Sequence, residues 1–135
     1  MSGCLFCAIV KKEIPAEVIY ENEGALGFLD INPMSPGHTL VIPKGHASSV
    51  LDLPEEDFAY ILKAIREVER MALKSLKPDG FTLGINQGKV SGQEVDHLHV
   101  HIAPRFLVDG GGSFQKVVNN KPKESIKEIA EKLKA

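Results

Sequence analysis

The sequence predicts an α+β fold built on an antiparallel sheet of about five strands, and three observations carry that expectation. The apolar segments before residue 45 are short and separated by turn residues, so the first strands can pair as hairpins. A single long amphipathic pattern occupies the middle of the chain, enough to cover one sheet face and too little for a doubly wound parallel sheet. The run "DHLHVHIAPR" alternates rings with apolar residues, the period of an extended strand. With 135 residues, one domain can bury its own core; the reading places that core over about residues 4–105, with an extension over 106–135.

In chain order, "CLFCAIVKKEIPA" spaces Leu5, Phe6 and Ile9 for a short N-terminal helix over residues 6–12, and Pro15 ends it. "EVIYENEGALGFLDI" reads as strands over residues 17–21 and 25–30 joined by Asn22 to Gly24. "NPMSPG" is a loop, and "HTLVIPKGH" holds a strand over residues 39–42. For the long helix, Asp52 is placed to cap, Pro54 suits the first turn, and Glu55, Glu56 and Asp57 complement the dipole. Phe58, Ile61, Leu62, Ile65, Val68, Met71, Ala72 and Leu76 form one apolar stripe that stops before Pro78. "FTLGINQG" is a strand, "KVSGQEV" a polar loop, and residues 96–103 the last strand. After "FLVDGGGS", Ile126, Ile129 and Leu133 share a face of a C-terminal helix over about residues 123–134.

Composition excludes several classes. Apolar residues at 43% and charged residues at 25% suit a soluble globular protein. A net charge of −2 provides no field to hold a nucleic acid. No apolar run reaches the ~18 residues that span a bilayer, and the chain does not open on a basic-then-apolar leader. A cytoplasmic protein acting on neither nucleic acid nor membrane is expected. Both cysteines lie in "CLFC", which argues against a disulfide framework. Such a pair is a redox motif or half a metal site, and with no strand before it the metal reading is the better.

On a strand over residues 96–103, His97, His99 and His101 share one face, each about 6.6 Å from the next. Leu98, Val100 and Ile102 then face the core beneath the long helix. A row of imidazoles can bind a metal, stabilise an anion, or supply a nucleophile and proton carriers. The bland alternative is a solvated polar face.

"HLHVHIAP" resembles the signature of the histidine triad (HIT) family of nucleotide hydrolases and transferases. "KKEIPAEVIYENEGALGFLDINPMSPGHTLVIPKGH" is similar to the N-terminal half of its purine-nucleoside phosphoramidase branch, and "INQGKVSGQEVDHLHVH" to the approach to the triad. The likeness runs from Cys4 to Arg105 and implies a HIT-like fold. It also implies hydrolysis of purine nucleoside 5′-phosphoramidates or related conjugates at the α-phosphorus. The resemblance makes His99 the nucleophile, passing through a nucleotidyl-histidine. His101 becomes the donor to the α-phosphate, and His97 the support of His99 through its backbone carbonyl.

By the same resemblance Gln93 and Asn86 contact the phosphate, and Asp30 accepts the ribose hydroxyls. Leu5, Phe6, Ile9, Phe28 and Ile31 enclose the base. Glu94 departs from the pattern, standing where eukaryotic phosphoramidases place a serine. Cys4, Cys7, His46 and His97 resemble the family's structural zinc set in prokaryotic members, a closed tetrahedral site; without metal, His46 would join the proton network. No organic cofactor is implied, and a homodimer formed through the long helix and an edge strand is. The alternatives are a dinucleoside polyphosphate hydrolase, a nucleotidyltransferase, and a non-catalytic module that binds nucleotide or zinc.

Overall fold

A computed structural model describes residues 3–135. The chain forms α1 (Leu5–Val10), β1 (Val18–Glu21), β2 (Ala25–Leu29), β3 (Thr39–Pro43), α2 (Phe58–Ser75), β4 (Gly80–Gly84), β5 (Val100–Arg105) and α3 (Ile126–Lys134). All strand pairings are antiparallel, in the order β1-β2-β3-β5-β4. This is the α+β architecture the sequence predicts. No helix is long and apolar enough to cross a membrane among the described residues.

The two faces of the sheet do different work. Ala25, Val41, Val100 and Ile102 pack beneath Ile61, Ala64 and Val68 of α2. Leu26, Phe28, Leu40 and Ile42 point the other way and pack on Phe6 and Ile9 of α1. Strands β2 and β3 are therefore buried on both faces, which is why "ALGFL" and "TLVIP" are continuous apolar runs without alternation. At Gly27 a Cβ would lie 3.3 Å from Val68 Cγ2, so glycine lets α2 approach β2 closely.

Several element boundaries differ from the sequence reading. Helix α1 ends at Val10 because Lys12 turns to φ 64° and the Glu13 N–H bonds back to the Ala8 carbonyl at 2.9 Å. Helix α2 begins at Phe58, not near Asp52. The Asp52 carboxylate instead closes a capping box with Ser49 on a separate 3-10 turn, Val50–Asp52. Strand β4 stops at Gly84, short of the full "FTLGINQG" run.

The last strand starts at Val100, so His97 and His99 precede it. Pairing with β3 ends at Val41↔Val100. Pro43 has no N–H to continue that ladder, and its carbonyl accepts from the His97 ring instead.

Candidate active site and metal centre

On the α1 side of the sheet lies a cavity of about 500 Å³. Its lining joins the apolar Leu5, Phe6, Ile9, Phe28 and Ile31 to the polar Asp30, His38, Asn86, Glu94, His99 and His101. That volume suits a small-molecule site. Phe6 is buried, its ring meeting Phe28 at 5.6 Å and His99 at 5.1 Å, both edge-on. Ile31 stands on the rim, 90% exposed.

The backbone decides which nitrogen of each ring carries a proton. The His99 Nδ1–H donates to the His97 carbonyl at 2.7 Å, leaving Nε2 with a lone pair. The Met34 N–H donates to His38 Nδ1 at 3.2 Å, so a neutral His38 is protonated at Nε2. That Nε2–H donates to His101 Nδ1 at 3.0 Å, which leaves the His101 proton on Nε2. The result is an unprotonated nitrogen on His99 beside a ring, 5.2 Å away between centroids, that keeps a proton to donate.

Electrostatics agree with neutral rings at His38 and His101. Burial pushes His101 below the ordinary imidazole range, helped by His99 and His38 and opposed by Asp30. Burial also lowers His38, with Asp30 again opposing. The Asp30 carboxylate lies 3.6 Å from His38 Nε2, and its Oδ1 accepts the Asn32 N–H at 2.8 Å.

His97 lies on the same α1 side, its ring 5.9 Å from Phe6, but it does not line the cavity. The His97 N–H closes a tight turn on the Val95 carbonyl at 2.9 Å. There it is fully buried and 5.1 Å from the His46 ring. Its Nε2–H donates to the Pro43 carbonyl at 2.9 Å, so Nδ1 offers a lone pair. Burial holds the ring neutral, the Pro43 carbonyl opposing. Nδ1 lies 3.4 Å from Cys4 Sγ and 3.6 Å from Cys7 Sγ, while His46 Nδ1 lies 3.3 Å from Cys7 Sγ.

All four ligand atoms fall within 4.8 Å of one another. Tetrahedral Zn²⁺ bonds of about 2.3 Å to sulfur and 2.0–2.1 Å to nitrogen put S and N about 3.6 Å apart, so the donor set fits. Burial pushes the Cys7 thiol up, with Cys4 adding to it; a bound cation would reverse that by stabilising thiolate.

Gln93, a phosphate contact by the resemblance, bonds to its own loop and to the Ser48 carbonyl. Its Nε2 donates to the Ser48 and Val95 carbonyls and its Oε1 accepts the Gly88 N–H, so the amide braces the loop and is absent from the cavity lining. Asn86, just past β4, does line the cavity. Sequence reasoning missed His38, although a signal existed. His38 has the parity of Leu40 and Ile42, and Leu40 pairs with His101, so extending β3 by one residue puts His38 on the histidine face.

A five-stranded sheet with one covering helix and a histidine-built cavity defines a protein of the histidine triad type. The family model for the HIT domain matches residues 11–107, and the chain belongs to that family. A HIT-like protein of Methanocaldococcus jannaschii is 44% identical over 127 residues, covering 93% of this chain and 98% of its own. An adenosine 5′-monophosphoramidase of Schizosaccharomyces pombe is 42% identical over 103 residues, covering 76% of this chain and 74% of its own. Among solved structures, a HIT family protein of Bacillus subtilis superposes with a TM-score of 0.86 at 33% identity, covering 98% of this chain and 96% of that one. A zinc-bound histidine triad protein of Mycobacterium smegmatis gives 0.72 at 39% identity, with coverage of 90% and 84%.

Proposed function

We propose that this protein hydrolyses purine nucleoside 5′-phosphoramidates, or related nucleotide conjugates, at the α-phosphorus. The observation that carries the reading is the His99 ring, which lines the cavity and is tied through Nδ1 to the His97 carbonyl at 2.7 Å, leaving on Nε2 the lone pair that a nucleophile needs. The base lies against Leu5, Phe6, Ile9, Phe28 and Ile31, and Asp30 takes the ribose diol. Asn86 donates to a phosphoryl oxygen without adding charge. Gln93 acts on the site by holding the loop, consistent with the bonds it makes.

His99 Nε2 forms a bond to phosphorus as the P–N bond breaks. The departing nitrogen leaves with the bonding electron pair and takes up a proton from solvent water, while the His101 Nε2–H donates to a phosphoryl oxygen. Water then attacks the phosphorus, releasing its own proton to solvent, and the nucleoside monophosphate departs as His99 is restored. His38 keeps the His101 proton on Nε2 throughout.

The reading includes a structural zinc on Cys4, Cys7, His46 and His97. Bound there, it would tie α1 to the sheet and hold the His97 backbone that orients His99. It takes residues 1–135 as one HIT domain with a C-terminal extension from residue 106, acting in the cytoplasm. It also takes two copies to form a homodimer. Strand β4 is a sheet edge, and Phe58, Leu62, Leu83 and Ile85, 40–65% exposed, line an apolar groove beside it.

The test is to incubate the protein with adenosine 5′-phosphoramidate, quench in base, and search by mass spectrometry for an adenylyl group on the His99 peptide. His99→Ala should lose turnover and labelling while still binding AMP. A wild-type protein that binds AMP but neither turns over nor labels would make this a binding module instead.

A further inference from the structure

The nucleotide-sized cavity shares part of its wall, Leu5, Glu94 and Val95, with a second cavity of about 360 Å³. No lysine or arginine lines either one among the described residues. The carboxylates in the two walls are Asp30, 3.6 Å from the His38 ring, Glu94, which lines both cavities, and Asp96 in the second. Glu94 is exposed and has no hydrogen bond or ion pair among the described residues, so its charge is free to act on a bound molecule.

We propose that Glu94 sets the leaving-group preference of the site, selecting conjugates whose departing amine carries a positive charge and rejecting those with anionic leaving groups. This rests on the hydrolase reading above. With the base against the apolar lining and the α-phosphate at His99 and His101, in-line attack puts the leaving group on the far side of phosphorus. The wall left to receive it contains Asn86, Gly92 and Glu94, and then the second cavity with Asp96.

A polyphosphate or carboxylate leaving group needs cationic partners there, and it meets carboxylates. An alkylammonium arm meets complementary charge first at Glu94 and then at Asp96. The preferred substrates are therefore nucleotide conjugates of diamines, with dinucleoside polyphosphates poor substrates.

Three adenosine 5′-phosphoramidates that differ only in the nitrogen substituent test this: 2-aminoethyl, propyl and 2-carboxyethyl. Wild-type kcat/KM for the cationic compound should exceed that for the anionic one by roughly tenfold at low salt, with the neutral one between. The ratio should shrink as salt is raised, because the charges are exposed. Glu94→Gln should bring it close to one, and Glu94→Lys should invert it. Turnover with a flat wild-type ratio, or a ratio unchanged in Glu94→Gln, would overturn the role of Glu94 alone. Failure of all three compounds to turn over, with His99 unlabelled, would overturn the hydrolase reading and this inference together.

Discussion

Replacing His97 with alanine isolates what the buried ring contributes apart from any metal. The ring is completely buried, and its Nε2–H satisfies the Pro43 carbonyl at 2.9 Å. Losing the donor leaves a buried acceptor without a partner, a cost of about 1–3 kcal/mol. Removing the ring also opens a void beside Phe6, whose centroid lies 5.9 Å away; large-to-small changes at such sites cost about 2–5 kcal/mol, part of which is the same contact. A loss of about 4 kcal/mol is expected, a large share of the ~5–15 kcal/mol that holds a domain together.

The assay is urea unfolding of wild type and His97→Ala in excess chelator, which removes any metal contribution from both. Repeating it with zinc should raise the wild-type midpoint further, by about 4 kcal/mol at a thousandfold excess over the dissociation constant, and leave the variant unmoved. A chelated variant less than about 1 kcal/mol below wild type would refute the claim that the Pro43 bond and ring packing anchor this segment.

Three further outcomes follow from the same geometry. His38→Phe removes the donor to His101 Nδ1, and kcat/KM should fall about 5- to 100-fold with the melting temperature little changed; activity within twofold of wild type would sink the tautomer argument. Burial lowers both His38 and His101, so the unfolded chain takes up their protons first. Their contribution to stability is complete above the ordinary histidine value of about 6.5 and declines as pH falls below it, which urea midpoints at about pH 7.5 and 5 would register. Asp30→Asn weakens one acceptor of the ribose diol. The preference for ribo- over 2′-deoxyribonucleotide conjugates, read as a kcat/KM ratio, should drop roughly tenfold.

Much of the fold was legible because the residues involved obey a local period. The hairpin between β1 and β2 and the inward set Leu98, Val100 and Ile102 follow from spacing and pack as expected, whereas the α2 stripe packs at Ile61, Ile65 and Val68 and leaves Phe58, Leu62, Met71 and Leu76 exposed. The boundaries that moved did so through contacts no local pattern encodes. Asp52 found Ser48 and Ser49 before it could cap α2. The last strand lost residues 96–99 because Pro43, on the neighbouring strand, could not pair with them. Of the site residues, His99, His101, Asn86 and Asp30 lie together in one cavity, whereas Gln93 turns to the loop and His38 enters unannounced.

By itself the sequence determined the inventory: three imidazoles at alternate positions, a C-x-x-C pair within reach of a helix start, and apolar spacers that commit one side of the segment to the core. Tertiary structure decided which nitrogen of His97 and which of His101 is free. The carbonyl that accepts the His97 Nε2–H belongs to a residue 54 positions away, and the donor that sets His101 comes from 63 positions away. A side chain's proton follows its hydrogen-bond partner, and partners at that separation are chosen only when the strands are packed against one another.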